Sequence, residues 1–112
     1  MAGEIWRDPT VDVDTRVQAV IAALTPQEKI AQLGSYWADN RGSDDIIAPM
    51  QDVFSRGRAP FERAVQDGIG QLTRVFGTLP VTARAGMTQI REAQQHLQNA
   101  TRLGIPAMVH EE

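Results

Sequence analysis

The chain has 112 residues, 42% of them apolar and 22% charged, which suits one small globular domain with a buried core and excludes wholesale disorder. Its net charge is −3 and its eleven Lys and Arg residues are scattered, so it offers no electrostatic footprint for nucleic acid; with no cysteine it can form neither disulfides nor thiolate metal sites nor a thiol nucleophile. No stretch approaches the ~20 apolar residues of a membrane span, and the opening MAGEIWRDPT lacks the basic and apolar regions of a secretory signal, so the expected location is cytoplasmic and no membrane partner is expected.

Asp8-Pro9 opens an extended lead-in. From Val13 the apolar residues Val13, Val17, Val20, Ile21 and Leu24 recur at the spacing of one helix face, with Asp14, or Asp12 before it, as N-cap. Thr25-Pro26-Gln27-Glu28 then places a capping hydroxyl, a proline at the first helical position and a glutamate at the third, which is a capping box. Ile30, Ala31 and Leu33 are expected to form the buried stripe of this second helix, and Gly34 closes it.

The pattern weakens from Ser35 to about Ala59, where Gly42, Pro49 and Gly57 interrupt a polar run, and an irregular insertion over 35–67 is expected. Within it Ile46, Ile47, Met50, Val53 and Phe54 are spaced to bury one face of a short helical turn, and Pro60 with Phe61, Ala64 and Val65 begins another. After the turn signal Asp67-Gly68, residues 69–76 alternate apolar with small or polar residues, the pattern of a strand. A helix is predicted over 81–102, with Met87, Ile90, Ala93, Leu97 and Ala100 on one stripe and Gly86 costing it about 1 kcal/mol relative to alanine. Gly104 and Pro106 end that helix, and Ala107, Met108 and Val109 form a short apolar run suited to a second strand buried on both faces. Strand, helix, strand over 69–112 is a βαβ unit, which implies adjacent parallel strands and the opening of an α/β fold.

The second strand ends in His110, Glu111 and Glu112. In α/β folds the carboxyl ends of strands are where ligands bind, so this cluster is the candidate site. His110-Glu111 begins the zinc-protease pattern HExxH, but the second histidine is missing and the pair sits on a strand, so no metal site is assigned. Adjacent strand residues point to opposite faces, so only one of Glu111 and Glu112 can face a pocket and no paired-carboxylate mechanism follows from the two. Arg74 lies near the carboxyl end of the first strand, where it either pairs with Glu112, meets a ligand oxygen, or is a surface strand arginine. Tyr36 and Trp37 either stack on a sugar or anchor packing, and core packing is expected of Trp6. There is no phosphate loop, dinucleotide fingerprint or serine elbow, and no cofactor is expected.

Five segments, taken in order, resemble the amino-terminal part of glycoside hydrolase family 3, the family of β-glucosidases and β-xylosidases: WRDP at 6–9, the helix Asp14 to Leu24, LTPQEKIAQL at 24–33, GIGQLTR at 68–74 and RLGIPAMVHEE at 102–112. The resemblance implies a (β/α)₈ TIM-type barrel, incomplete here, with two leading helices at 13–33, the first strand, the first barrel helix and the second strand. It implies a retaining exo-acting enzyme that hydrolyses terminal β-linked glucose or xylose, with an aspartate nucleophile and a separate acid/base about 5 Å apart. Neither of those residues has a counterpart in these 112 residues, so the chain reads as an amino-terminal fragment and is expected to be inactive alone. The resemblance assigns Glu112 to hydrogen-bonding the hydroxyls of the terminal sugar, and with Arg74 and His110 it makes up the expected substrate-binding set. The competing reading is a non-catalytic α/β module that binds sugar or protein, which a true stop codon after Glu112 would favour.

Overall fold

A computed structural model describes residues 4–37, 60–77 and 81–111. After a short 3-10 turn at Ile5–Arg7, helix α1 spans Val13–Ala23. The backbone N–H of Thr15 donates to the Asp12 carboxylate at 2.9 Å, so Asp12 rather than Asp14 is the N-cap. That bond and one from the Thr15 hydroxyl hold the Asp12 carboxyl below its ordinary pKa. The apolar face of α1 stays largely open, with Val13 67% exposed.

Helix α2 (Pro26–Gln32) carries the expected capping box: Glu28 N–H donates to Thr25 Oγ1 at 3.2 Å and Thr25 N–H donates to Glu28 Oε2 at 2.9 Å. Its buried face is not the expected one. Ile30 and Leu33 are exposed and Glu28 is buried, because Arg102 reaches in from the loop before the last strand. The Arg102 guanidinium clamps the Glu28 carboxylate twice, Nε to Oε1 at 2.7 Å and Nη2 to Oε2 at 2.6 Å, and donates to the Ala23 carbonyl at 2.7 Å. A charge buried on α2 is tolerable only with such a bidentate partner, and satisfying it turns the apolar side chains outward.

The bond from Arg102, aided by the Thr25 backbone N–H, lowers the Glu28 pKa from 4.5 to about 2. A depressed carboxylate stabilises the fold fully above its ordinary value and loses that contribution as pH falls through the folded one. Stability should therefore decline between about pH 4.5 and pH 2, and Glu28→Gln should flatten that part of the curve, read as melting temperature against pH.

Residues Ser35–Trp37 form strand β1, where an irregular segment is expected from sequence. Three residues are too few to display a period; pairing with the next strand makes this segment a strand. The rest of the proposed insertion from 38 to 59, with Ile46, Ile47, Met50, Val53 and Phe54, lies outside the described residues. Helix α3 (Phe61–Ala64) begins directly after Pro60, as proline's fixed φ favours. Strand β2 (Gln71–Thr73), helix α4 (Ala83–Ala100) and strand β3 (Met108–His110) then supply the expected strand, helix and strand, the first two shorter than their sequence patterns. β3 is not buried on both faces as expected: it lies at the edge of the sheet, and Met108 and Val109 are exposed.

All three strands are parallel, in the order β1-β2-β3, with Trp37 opposite Thr73 and Thr73 opposite His110. The core beneath them is Val65, Ile69, Leu72, Val75, Leu97 and Ala107. Burying each of the larger side chains contributes roughly 1.5 to 3 kcal/mol. Gln94 fastens α4 to the start of β3, its amide donating to the Ala107 carbonyl at 2.8 Å and accepting from the Ala107 N–H at 2.9 Å. The glycine inside α4 has a packing reason: a Cβ on Gly86 would lie 2.0 Å from the Phe76 ring. Among the described residues no helix is long and apolar enough to cross a membrane.

Candidate functional site

The parallel register brings the carboxyl ends of the three strands to one edge, at Trp37, Thr73 and His110. Arg74, the residue after β2, joins all three. Its backbone N–H donates to the His110 carbonyl at 3.1 Å, and its guanidinium lies 4.8 Å from the centroid of the Trp37 ring. Its Nη2 also donates to the Gly77 carbonyl at 3.0 Å, holding the turn that follows. A cation over an aromatic face is stabilised by the ring quadrupole, so the two side chains form one platform.

The backbone of Arg74 has φ of 61°. For a residue with a long side chain this left-handed conformation costs roughly 1 to 2 kcal/mol and persists only where surrounding contacts impose it. Arg74→Gly should consequently be more stable than Arg74→Ala by about 1 kcal/mol in urea denaturation, because glycine removes the strain that alanine keeps. Equal stabilities for the two variants would show that the backbone is not strained there.

Glu111 anchors the other side of the edge. Its Oε1 accepts from the Phe76 N–H at 2.8 Å, and its Oε2 lies 2.8 Å from where a Gly77 Cβ would stand. This carboxylate thus ties the end of β3 to the turn after β2, and Gly77 leaves it room. His110 is half-buried, and its Nε2 is buried with no hydrogen-bond partner among the described residues. A buried, unsatisfied imidazole nitrogen is costly, and such groups concentrate where a ligand or solvent completes the bonding.

Two of the expected substrate-binding residues, Arg74 and His110, are brought together; the third, Glu112, lies outside the described residues, as does its pairing with Arg74. Sequence reasoning places Trp37 in a loop and gives Glu111 no partner. Neither has a signal in the sequence: β1 is set by its pairing with β2, and the partner of Glu111 by the turn that brings Phe76 beside the end of β3. Trp6 does not join the central core; it packs beside α1, and its carbonyl accepts from Arg16 Nε at 2.9 Å.

Chemically, the edge offers an aromatic face, a guanidinium, an imidazole and one carboxylate already engaged with backbone. That set can hold a polyhydroxylated ring by stacking and hydrogen bonds. Among the described residues it contains no two carboxylates facing each other, and no group of three or more acidic or histidine side chains is placed to hold a metal. Comparison with known proteins gives no match to a family model and none to a curated protein.

Proposed function

We propose that this chain is the opening part of a (β/α)₈ barrel of a retaining exo-β-glycosidase, and that the carboxyl edge of its sheet holds the terminal glucose or xylose of the substrate. The observation that carries the reading is the junction at Arg74, where a strained residue links the ends of three parallel strands in an aromatic and polar cluster. Ligand sites of α/β folds are built at that edge.

Two further observations support it. The runs LTPQEKIAQL and RLGIPAMVHEE, which carry most of the family resemblance, are locked together by the Glu28–Arg102 pair, so the two runs form one physical unit. The exposure of β3 is also what a sheet with further strands would leave. Parallel strands are ordinarily covered on both faces, yet in β3 Met108 is 72% and Val109 38% exposed. More βα units would cover them and supply the nucleophile and acid/base, which the described residues do not contain. The reading gives Glu112, Arg74 and His110 the work of positioning the sugar, without metal or organic cofactor, in the cytoplasm.

Titration with xylose or glucose, followed by backbone amide NMR, tests the placement. Shifts are expected at Arg74, Phe76, Gly77, His110 and Glu111. Saturable shifts confined to residues at the opposite, amino-terminal edge of the sheet would contradict it.

A further inference from the structure

At the amino-terminal edge of the sheet, remote from the strand ends just described, a cavity of about 550 Å³ opens between Ile5–Arg7, α1 and the loop that leads into β3. Its walls are apolar, formed by Val13, Val17 and Val20 of α1 and by Leu103, Ile105 and Pro106. Two guanidiniums, Arg7 and Arg16, also line it. The volume falls within the range of small-molecule sites, roughly 300 to 1,000 Å³, in which a few polar groups orient a mostly apolar ligand.

The charges decide the class of ligand. Arg7 is held by the Leu103 carbonyl at 2.7 Å and by a loose, half-exposed pair with Glu4 at 3.5 Å. Arg16 is half-buried and fixed through Nε to the Trp6 carbonyl; Asp8 acts on it only at a distance, and no described residue accepts a hydrogen bond from its terminal amino groups. A guanidinium oriented by one bond, with its fork free, is built for a bidentate oxygen acceptor. Lining carboxylates are absent among the described residues. The apolar wall of α1, with Val17 44% exposed, offers the complementary surface for a hydrocarbon body.

We propose that this cavity binds a small organic anion, a carboxylate carried on an apolar aryl or alkyl body, with Arg16 taking the carboxylate and Arg7 flanking it. The site is independent of the sugar-binding reading, since it lies at the other edge of the sheet and shares no residue with it.

Phenylbutyrate and its neutral counterpart phenylbutanol are suitable probes, titrated against the protein by NMR with the Arg16 side-chain N–H and the valine methyl groups as reporters. Phenylbutyrate should bind at least about tenfold more tightly, as expected for a charge-assisted hydrogen bond. Arg16→Gln should reduce it to the affinity of the alcohol, and Val17→Trp, which fills the cavity from an exposed position, should abolish binding of both. Equal affinity of the two probes for the unaltered protein would overturn the proposal, whatever the fate of the variants. So would undiminished phenylbutyrate binding in Val17→Trp, or no saturable binding at millimolar concentration.

Discussion

Gly70→Ala should destabilise the protein by at least about 3 kcal/mol, more than any other single methyl addition at the described glycines that keeps an ordinary φ and meets backbone. A Cβ at this position would stand 1.9 Å from the Gln32 carbonyl oxygen and 2.8 Å from its carbon. Those atoms belong to the last residue of α2 and cannot rotate away as a side chain would. The neighbouring bonds fix the approach, Gly70 N–H to the Ala31 carbonyl at 3.2 Å and Gln71 N–H to the Gly34 carbonyl at 3.1 Å. Relieving the clash means breaking that pair of bonds, each worth about 1 kcal/mol net, and pulling β2 away from the end of α2. Gly34→Ala is the internal control. There the nearest atom is the tip of Ile69 at 3.3 Å, which can turn, so a cost below about 1 kcal/mol is expected. Urea midpoints for the two variants measure the difference, and a Gly70→Ala variant as stable as Gly34→Ala would mean that α2 and β2 do not pack as described.

The largest expected effect on activity is at Glu112. In the complete glycosidase that the proposed function requires, Glu112→Gln should lower kcat/KM by roughly ten- to a hundredfold without unfolding the protein. A carboxylate bonded to a sugar hydroxyl contributes about 1.5 to 3 kcal/mol, and that bond strengthens as the ring distorts toward an oxocarbenium-like transition state. Glu111→Gln should cost less, because Glu111 serves the backbone. Its carboxylate accepts from the Phe76 N–H, and a glutamine oxygen can accept the same bond. A silent Glu112→Gln beside a crippled Glu111→Gln would reverse the assignment of the two acids.

Much of the local structure was legible in the sequence because it rests on short-range chemistry. The capping box at Thr25 and Glu28 and the proline start at Pro60 each follow from a few adjacent residues. Gly104 takes a positive φ of 65° but does not stop the helix before it, which ends at Ala100 with Thr101 extended as its C-cap. Three things were not legible, for one common reason. Strand β1 has three residues and exists through its pairing with β2; the outward turn of Ile30 and Leu33 follows from an arginine 74 positions away from Glu28; and the positive φ of Arg74 is imposed by three strand ends meeting. Each depends on a contact distant in sequence, which periodicity and propensity do not encode. At the candidate site the residue types at the end of the last strand were readable, whereas the platform of Arg74 on Trp37 and the anchoring of Glu111 to Phe76 needed the fold.

If the proposed function holds, hydrolysis proceeds with retention at the anomeric carbon, and the stereochemistry of the product decides it. Proton NMR of an aryl β-glucoside or β-xyloside, incubated with the complete protein, distinguishes the first-formed anomer before mutarotation. The β-anomer should appear first, and the 112-residue chain alone should release no sugar, since a retaining mechanism needs two carboxyl groups about 5 Å apart across the bond. Release of the α-anomer first, no hydrolysis by the complete protein, or turnover by the 112-residue chain alone would each contradict the account.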